Sequence, residues 1–249
     1  RVSEGNQDLG HIPLRLGCRV SGAVDRGGCG SWGQAMMHQH DPPMEISKQK
    51  RRFLFGLACT HVILASGEVY GWTALRPVLL ESGLFDAYNE TTTPTRSSLM
   101  NMVASMGIAG NALGKLPPGI LLDKVGPRAT SMFGAVMVIV GSLLLGLCEK
   151  NDTTLPVLGY LLLGMAGPSL IMPSFHISDL FPEHKAAAMA YLITLFEISS
   201  GVFWVFGELH TQYGLDRTTL FLGYAGVGGY VLITAFLFWP DTPFRSATP

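Results

Sequence analysis

Ala129–Leu147, ATSMFGAVMVIVGSLLLGL, runs from end to end without a charged side chain. A helix needs roughly 20 apolar residues to cross a hydrocarbon core of about 30 Å, and this segment meets that length. Reading outward from it, five further segments have the same character: Phe53–Leu80, Leu99–Leu122, Leu155–Met172, Ala186–Phe206 and Leu220–Trp239. The first is long enough to be tilted. Backbone polar groups in lipid must be satisfied inside the segment, and the ten-residue alternation of a membrane barrel is absent, so helices are expected. The fold class read from this pattern is an all-α membrane protein. Residues 48–240 form a six-helix transmembrane bundle, residues 1–47 a disordered cytoplasmic tail, and residues 241–249 the start of a cytoplasmic linker or a truncated end.

Composition agrees with a membrane protein. The chain is 48% hydrophobic with a mean hydropathy of +0.32. Only 14% of its residues are charged, where an ordinary soluble domain has about 25%. A net charge of -1 without a sustained basic or acidic block gives no footing for nucleic-acid binding. Cys18, Cys29, Cys59 and Cys148 fall in no metal-ligand spacing and read as packing residues or free thiols; a Cys18–Cys29 disulfide is open but has no other folding signal around it. The Gly-rich tail carries no signal-peptide core. Because residue 1 is an arginine, Met36, Met37 and Met44 are candidate starts.

Charge also orients the bundle. Lys48, Lys50, Arg51, Arg52, Lys124, Arg128, Lys185 and Arg245 fall at one set of segment ends, against Arg96, Lys150 and Arg217 at the other. The basic side is expected to be cytoplasmic. The sequons Asn89-Glu90-Thr91 and Asn151-Asp152-Thr153 both fall opposite, which favours the plasma membrane over an organelle.

Between the second and third segments stands Gly119-Ile120-Leu121-Leu122-Asp123-Lys124-Val125-Gly126-Pro127-Arg128. Glycines let helix ends approach closely, and an Asp beside Lys and Arg at a membrane surface is a breakable charge cluster. The stretch resembles the signature loop of the major facilitator superfamily. That resemblance implies a conformational gate using Gly119, Asp123, Gly126 and Arg128, although Pro127 stands where the common pattern has a basic residue. Ser66–Trp72, then Leu79–Phe85, and Pro173–Pro182 before the fifth segment resemble the system-L branch, solute carrier family 43, with its fungal and protist relatives. Characterised animal members of that branch move large neutral amino acids or nucleobases. The resemblance therefore implies a transporter of an amino acid-like or nucleobase-like solute by alternating access.

Length departs from the resemblance. The family has two six-helix halves, each a three-plus-three inverted repeat, with solute held between them. Six segments make the N-terminal half. The missing partner is then a second six-helix half, either absent from a truncated sequence or supplied by a homodimer; loss of transport, leaving a membrane receptor or assembly partner, is the alternative.

Four ionisable residues interrupt the apolar segments: Glu68, Arg76, Lys115 and Glu197. A charge at a helix centre costs about 2.5–3.5 kcal/mol on insertion scales, so such residues usually face a cavity or a partner. On a continuous helix Glu68 shares a face with His61, Ala65 and Trp72. Glu68, Trp72, Tyr70 and Glu197 are the candidate solute-binding or proton-binding residues. Glu197 has Ile193, Thr194, Ser200 and Gly201 around it, a small polar stripe fit to face the protein interior. The competing reading pairs Glu68 with Lys115 or Arg76 as structural glue. His61 reads as a satisfied packing histidine, His176 as a polar cap, Gly110–Gly114 as a close-packing motif, and Pro117-Pro118 as a bend. With no phosphate loop, nucleophile elbow or metal cluster, neither an enzyme nor a cofactor is expected, and no helix carries the repeated polar stripe of a channel.

Overall fold

The computed structural model describes residues 47–88, 91 and 94–241. The tail with Cys18, Cys29 and the candidate start sites, Asn89 of the first sequon, and Arg245 lie outside the described residues.

The described chain is helical throughout. Span 1 consists of α1 (Lys48–Ala65), a 3-10 turn (Glu68–Gly71) and α2 (Trp72–Glu81); span 2 consists of α3 (Arg96–Leu113) and α4 (Leu116–Lys124). Span 3 is α5 (Pro127–Leu147), and span 4 is α6 (Thr154–Ile177) with a 3-10 turn to Leu180. Span 5 consists of α7 (Lys185–Ile198) and α8 (Gly201–Tyr213), and span 6 is α9 (Arg217–Phe238). Spans 1, 3, 4, 5 and 6 are long and apolar enough to cross a membrane. Span 2 is divided at Gly114-Lys115, ahead of Pro117-Pro118 at the start of α4.

Bonds at the two ends fix the up-and-down order, including that of span 2. At one end Arg96 donates to the carbonyls of Leu84 and Leu80, Phe85 N–H donates to Lys150, and Ala87 N–H donates to Asn151. At the other end Arg51 donates to Leu180, Lys185 pairs with Asp179, and Arg128 N–H donates to Pro240. Residues 82–88, 148–153 and the start of span 6, where Arg217 donates to Cys148 O, therefore gather at one rim, and Arg51, Arg128 and Lys185 gather at the other. Span 2 must run between them.

Packing follows small residues. A methyl at Gly164 would overlap the Gly107 carbonyl, and one at Gly110 would overlap that of Leu161, so spans 2 and 4 touch backbone to backbone along the motif read from sequence. Spans 3 and 4 meet in the same way at Gly141 and Gly159. A single aromatic cluster then joins spans 4, 5 and 6: Phe203 lies 6.2 Å from Tyr160, 5.5 Å from Phe206 and 6.4 Å from Tyr224.

Several expectations are corrected. Span 1 is not one helix, so the shared face of His61, Glu68 and Trp72 does not form. The helix stops at Ala65 because Gly67 and Gly71 press against the carbonyls of Phe196 and Ser200, an approach that a continuous helix with side chains there would block. His61 instead stacks on Trp239, accepts from its indole N–H at 3.2 Å, and bonds Thr234 Oγ1 at 2.7 Å. Span 4 does not end at Met172: Pro168 and Pro173 both sit inside α6. Serine hydroxyls bonded to carbonyls one turn back, as Ser174 to Leu170, accompany the proline interruptions. Span 5 runs to Tyr213 rather than Phe206 and is interrupted at Ser199-Ser200. Gly119 faces open space within this bundle, so close approach is not its role here.

Candidate functional site

Ending a helix orphans its last carbonyls, and inside a bundle these need donors. The break in span 1 obtains them from other spans. Tyr224 of span 6 donates to Leu64 O and Tyr160 of span 4 donates to Val69 O, each at 2.9 Å. Gly67 N–H donates to Ser199 Oγ of span 5 at 3.0 Å. Four spans thus meet at Ser66–Gly71.

Glu68 stands at this junction, 0% exposed, and neither carboxylate oxygen has a hydrogen-bond partner among the described residues. Tyr160 is within electrostatic reach of it and the Tyr224 hydroxyl is close enough to interact with the carboxylate directly, while both hydroxyls donate to the backbone carbonyls just named. Neither Lys115 nor Arg76 forms an ion pair with it; Lys115 is exposed, and Arg76 is half-buried with its Nε unpartnered. A buried polar group without a partner costs about 1–3 kcal/mol, and more if charged. Ser66 Oγ and Asn111 Nδ2 are also buried and unpartnered at the same junction.

Tyr70 turns the other way. It is 50% exposed, its hydroxyl donates to Asn111 Oδ1 at 3.1 Å, and its ring lies 5.9 Å from that of Phe196. Glu197, next to Phe196, is exposed on the surface of the bundle. Trp72 is half-buried, edge-on to Tyr160 at 5.1 Å. Tyr70 and Glu197 are thus each accessible, against the expectation that the stripe around Glu197 faces the interior, while Glu68 is buried in the bundle. Sequence reasoning missed Asn111, Tyr160, Tyr224 and Ser199 as members of this site. A tyrosine hydroxyl inside an apolar segment had to find a partner, and that was the available signal.

At the basic end Arg128 Nε donates to Trp239 O at 2.8 Å, and its Nη1 pairs with Asp241 at 2.6 Å. Gly126 has φ 105°, a backbone conformation favouring glycine that turns span 2 into span 3. Asp123 is exposed and forms no ion pair among the described residues. His176 lies 3.8 Å from Asp179, consistent with a polar cap. Outside the spans, burial pushes the Cys148 thiol above its ordinary range, and it is a free cysteine, as is Cys59. The Thr219 hydroxyl holds the Asp216 carboxyl below its usual value.

Two grooves open between spans 1 and 5. One, of about 320 Å³, lies toward the basic end and is lined by Phe55, Phe181, His184, Ala187, Ala188 and Tyr191. The other, of about 210 Å³, lies toward the opposite rim, with Pro77, Glu81, Trp204 and His210 in its walls. Among the described residues no group of three His, Cys, Asp or Glu side chains gathers as metal ligands would.

The profile of the Major Facilitator Superfamily matches residues 62–249. Similar proteins include Protein FMP42 of Saccharomyces cerevisiae, 26% identical over 76% of this chain and 40% of its own length. The large neutral amino acids transporter small subunit 3 of Mus musculus is 25% identical over 79% of this chain and 38% of its own. The human solute carrier family 2, facilitated glucose transporter member 5, is 26% identical over 83% and 43% respectively. The chain spans about two fifths of the length of these curated relatives. Such a likeness accords with a protein that is not an enzyme, and it favours the system-L branch only weakly over its neighbours. The chain belongs to the Major Facilitator Superfamily, and its described residues form one six-span half of that fold.

Proposed function

We propose that this chain is half of a transporter that carries a small organic solute, amino acid-like or nucleobase-like, by alternating access. The bundle rocks against a second six-span half, from the same protein or from a second copy, around a solute held near the bilayer midplane. The observation that carries this reading is the junction at Ser66–Gly71. A fully buried carboxylate without a hydrogen bond of good geometry lies two residues before an exposed tyrosine, where the first span is broken. Unpaired polar groups at such depth are costly and mark pathways or binding sites.

In this reading Tyr70 and Glu197 touch the solute, Trp72 forms the wall, and Glu68 holds a proton or joins the solute when the break opens. Gly119, Asp123, Gly126 and Arg128 form the gate at the basic end, which faces the cytoplasm, with the plasma membrane as the site of action. The name of the mouse relative supports an amino acid over a sugar, and that of the human relative supports the reverse. The resemblance of Ser66–Trp72 and Pro173–Pro182 to the system-L branch tips the choice to amino acid-like.

The test is uptake of labelled leucine and adenine by cells expressing the longest transcript that contains this chain. Uptake lost in Tyr70→Ala and Glu197→Gln at unchanged surface expression is the expected result. Surface expression without uptake of either solute, or of a wider panel, moves the protein to the alternative of a non-transporting receptor or assembly partner.

A further inference from the structure

We infer that His210 and Glu81 form a proton-binding site that clasps span 1 to span 5 at the rim opposite the basic end. His210 Nδ1 lies 2.7 Å from Leu215 O, and its Nε2 lies 3.0 Å from Glu81 Oε2. A carbonyl oxygen only accepts, so the hydrogen of the first bond sits on Nδ1. The second bond then needs a hydrogen of its own. It resides on Nε2, giving an imidazolium facing a carboxylate, or on Oε2, giving a carboxylic acid facing a neutral imidazole. Either form holds one proton more than a neutral histidine beside an ionised glutamate. Without that proton the ring has one hydrogen for two acceptors, so either the bond to Glu81 or the bond to Leu215 O is lost.

Among the described residues no other ion pair joins spans 1 and 5 at this rim. On α2 the other charged group is Arg76, which makes no ion pair with Glu81 among the described residues. On α8 Glu208 accepts from Gln212 at 2.6 Å. Beyond the turn Asp216 is engaged by Thr219, and Arg217 donates to Cys148 O. Asp86 pairs with Arg96 at 2.8 Å. Lys150 lies along Gly83, two residues from Glu81, but among the described residues no lysine or arginine forms an ion pair with Glu81. His210 is 19% exposed and Glu81 62% by side chain, so protons reach the pair from the aqueous rim. The clasp also organises backbone: Gly214, at φ 66°, caps α8 by donating to His210 O, and Leu215 hangs from the same imidazole. Losing the proton therefore frees either the edge of the groove between α2 and α8 or the turn into span 6.

The experiment measures thermal unfolding of the purified full chain in detergent at pH 6.0 and 8.0, bracketing the range where histidine changes charge. The wild type is expected to melt about 2–4 °C lower at pH 8.0. Glu81→Gln removes this difference while keeping the higher melting point, because an amide donates to a neutral imidazole without an added proton. His210→Ala melts low at both values. An equal pH difference in wild type and Glu81→Gln overturns the proposal, as does a wild type more stable at pH 8.0. Should His210→Ala fail to fold, the Glu81→Gln comparison alone decides.

Discussion

Gly67→Ala is the sharpest probe of the break in span 1. A methyl built at Gly67 would stand 2.1 Å from the Phe196 carbonyl oxygen and 3.3 Å from Ser199 Cβ. The first distance is over an ångström short of ordinary contact, and the obstacle is backbone, which no rotamer change relieves. Spans 1 and 5 must separate, and the Gly67 N–H bond to Ser199 Oγ goes with them. Overpacking costs about 1–3 kcal/mol and the lost bond about 1 more. At roughly 2–4 °C per kcal/mol for a chain of this size, the variant should melt about 5–15 °C below wild type. Gly201→Ala is the control: its added methyl meets nothing within 4 Å, and relieving a helical glycine is worth about 0.5–1 kcal/mol in its favour. Melting of both variants as fluorescent fusions in detergent, followed by size exclusion, compares them directly. If Gly67→Ala melts within a degree of Gly201→Ala, the backbone-to-backbone contact of the two breaks does not exist.

Tyr70→Phe should lower the melting point by the worth of one hydrogen bond, about 0.5–1.5 kcal/mol, and adding it to Asn111→Ala should cost nothing further, since both remove the same bond. Gly126→Ala, forced to φ 105°, should cost about 1–2 kcal/mol in the same assay. Thr219→Val should make unfolding less acid-sensitive: Asp216 contributes stability above the ordinary value of 3.8 and loses it as pH falls through its lowered value in the folded state, so the wild type alone should soften in that acid window. Glu68→Leu should be neutral or stabilising, by up to about 4 kcal/mol, because it removes an unpaired buried group without breaking a bond.

The spans were legible where one physical signal dominated. Ala129–Leu147 is charge-free and bounded by Gly126-Pro127, and the helix runs Pro127–Leu147. The interruptions in spans 1 and 5 were not legible, because apolar residues continue through Ser66-Gly67 and Ser199-Ser200 on both sides. What decides them is the approach of two distant backbones, which no local window contains. The same holds at Pro173, where a proline that would end an isolated helix stays inside α6, because hydroxyls and neighbouring spans support the interrupted ladder. Polar residues within apolar segments pointed to Glu68, Tyr70 and Trp72. Their directions did not follow, since within one 3-10 turn Glu68 points inward and Tyr70 outward.

That opposed placement bears on what Glu68 is for. Two phenolic hydroxyls lie within electrostatic reach of its carboxylate, and a structural carboxylate in lipid would be expected to recruit them. Both instead satisfy carbonyls that the helix break exposes, Leu64 and Val69. The break is thus held by tyrosines and a serine, and Glu68 makes no hydrogen bond of good geometry there, only an approach to the Tyr224 hydroxyl. Under the proposed function, a residue that costs folding energy in this arrangement does its work in another, in which the carboxylate meets a proton or solute. In the proposed cycle, release of Tyr70 from Asn111 opens the exposed side of the 3-10 turn to solute, and Tyr160, through its bond to Val69 O, keeps the turn tied to span 4.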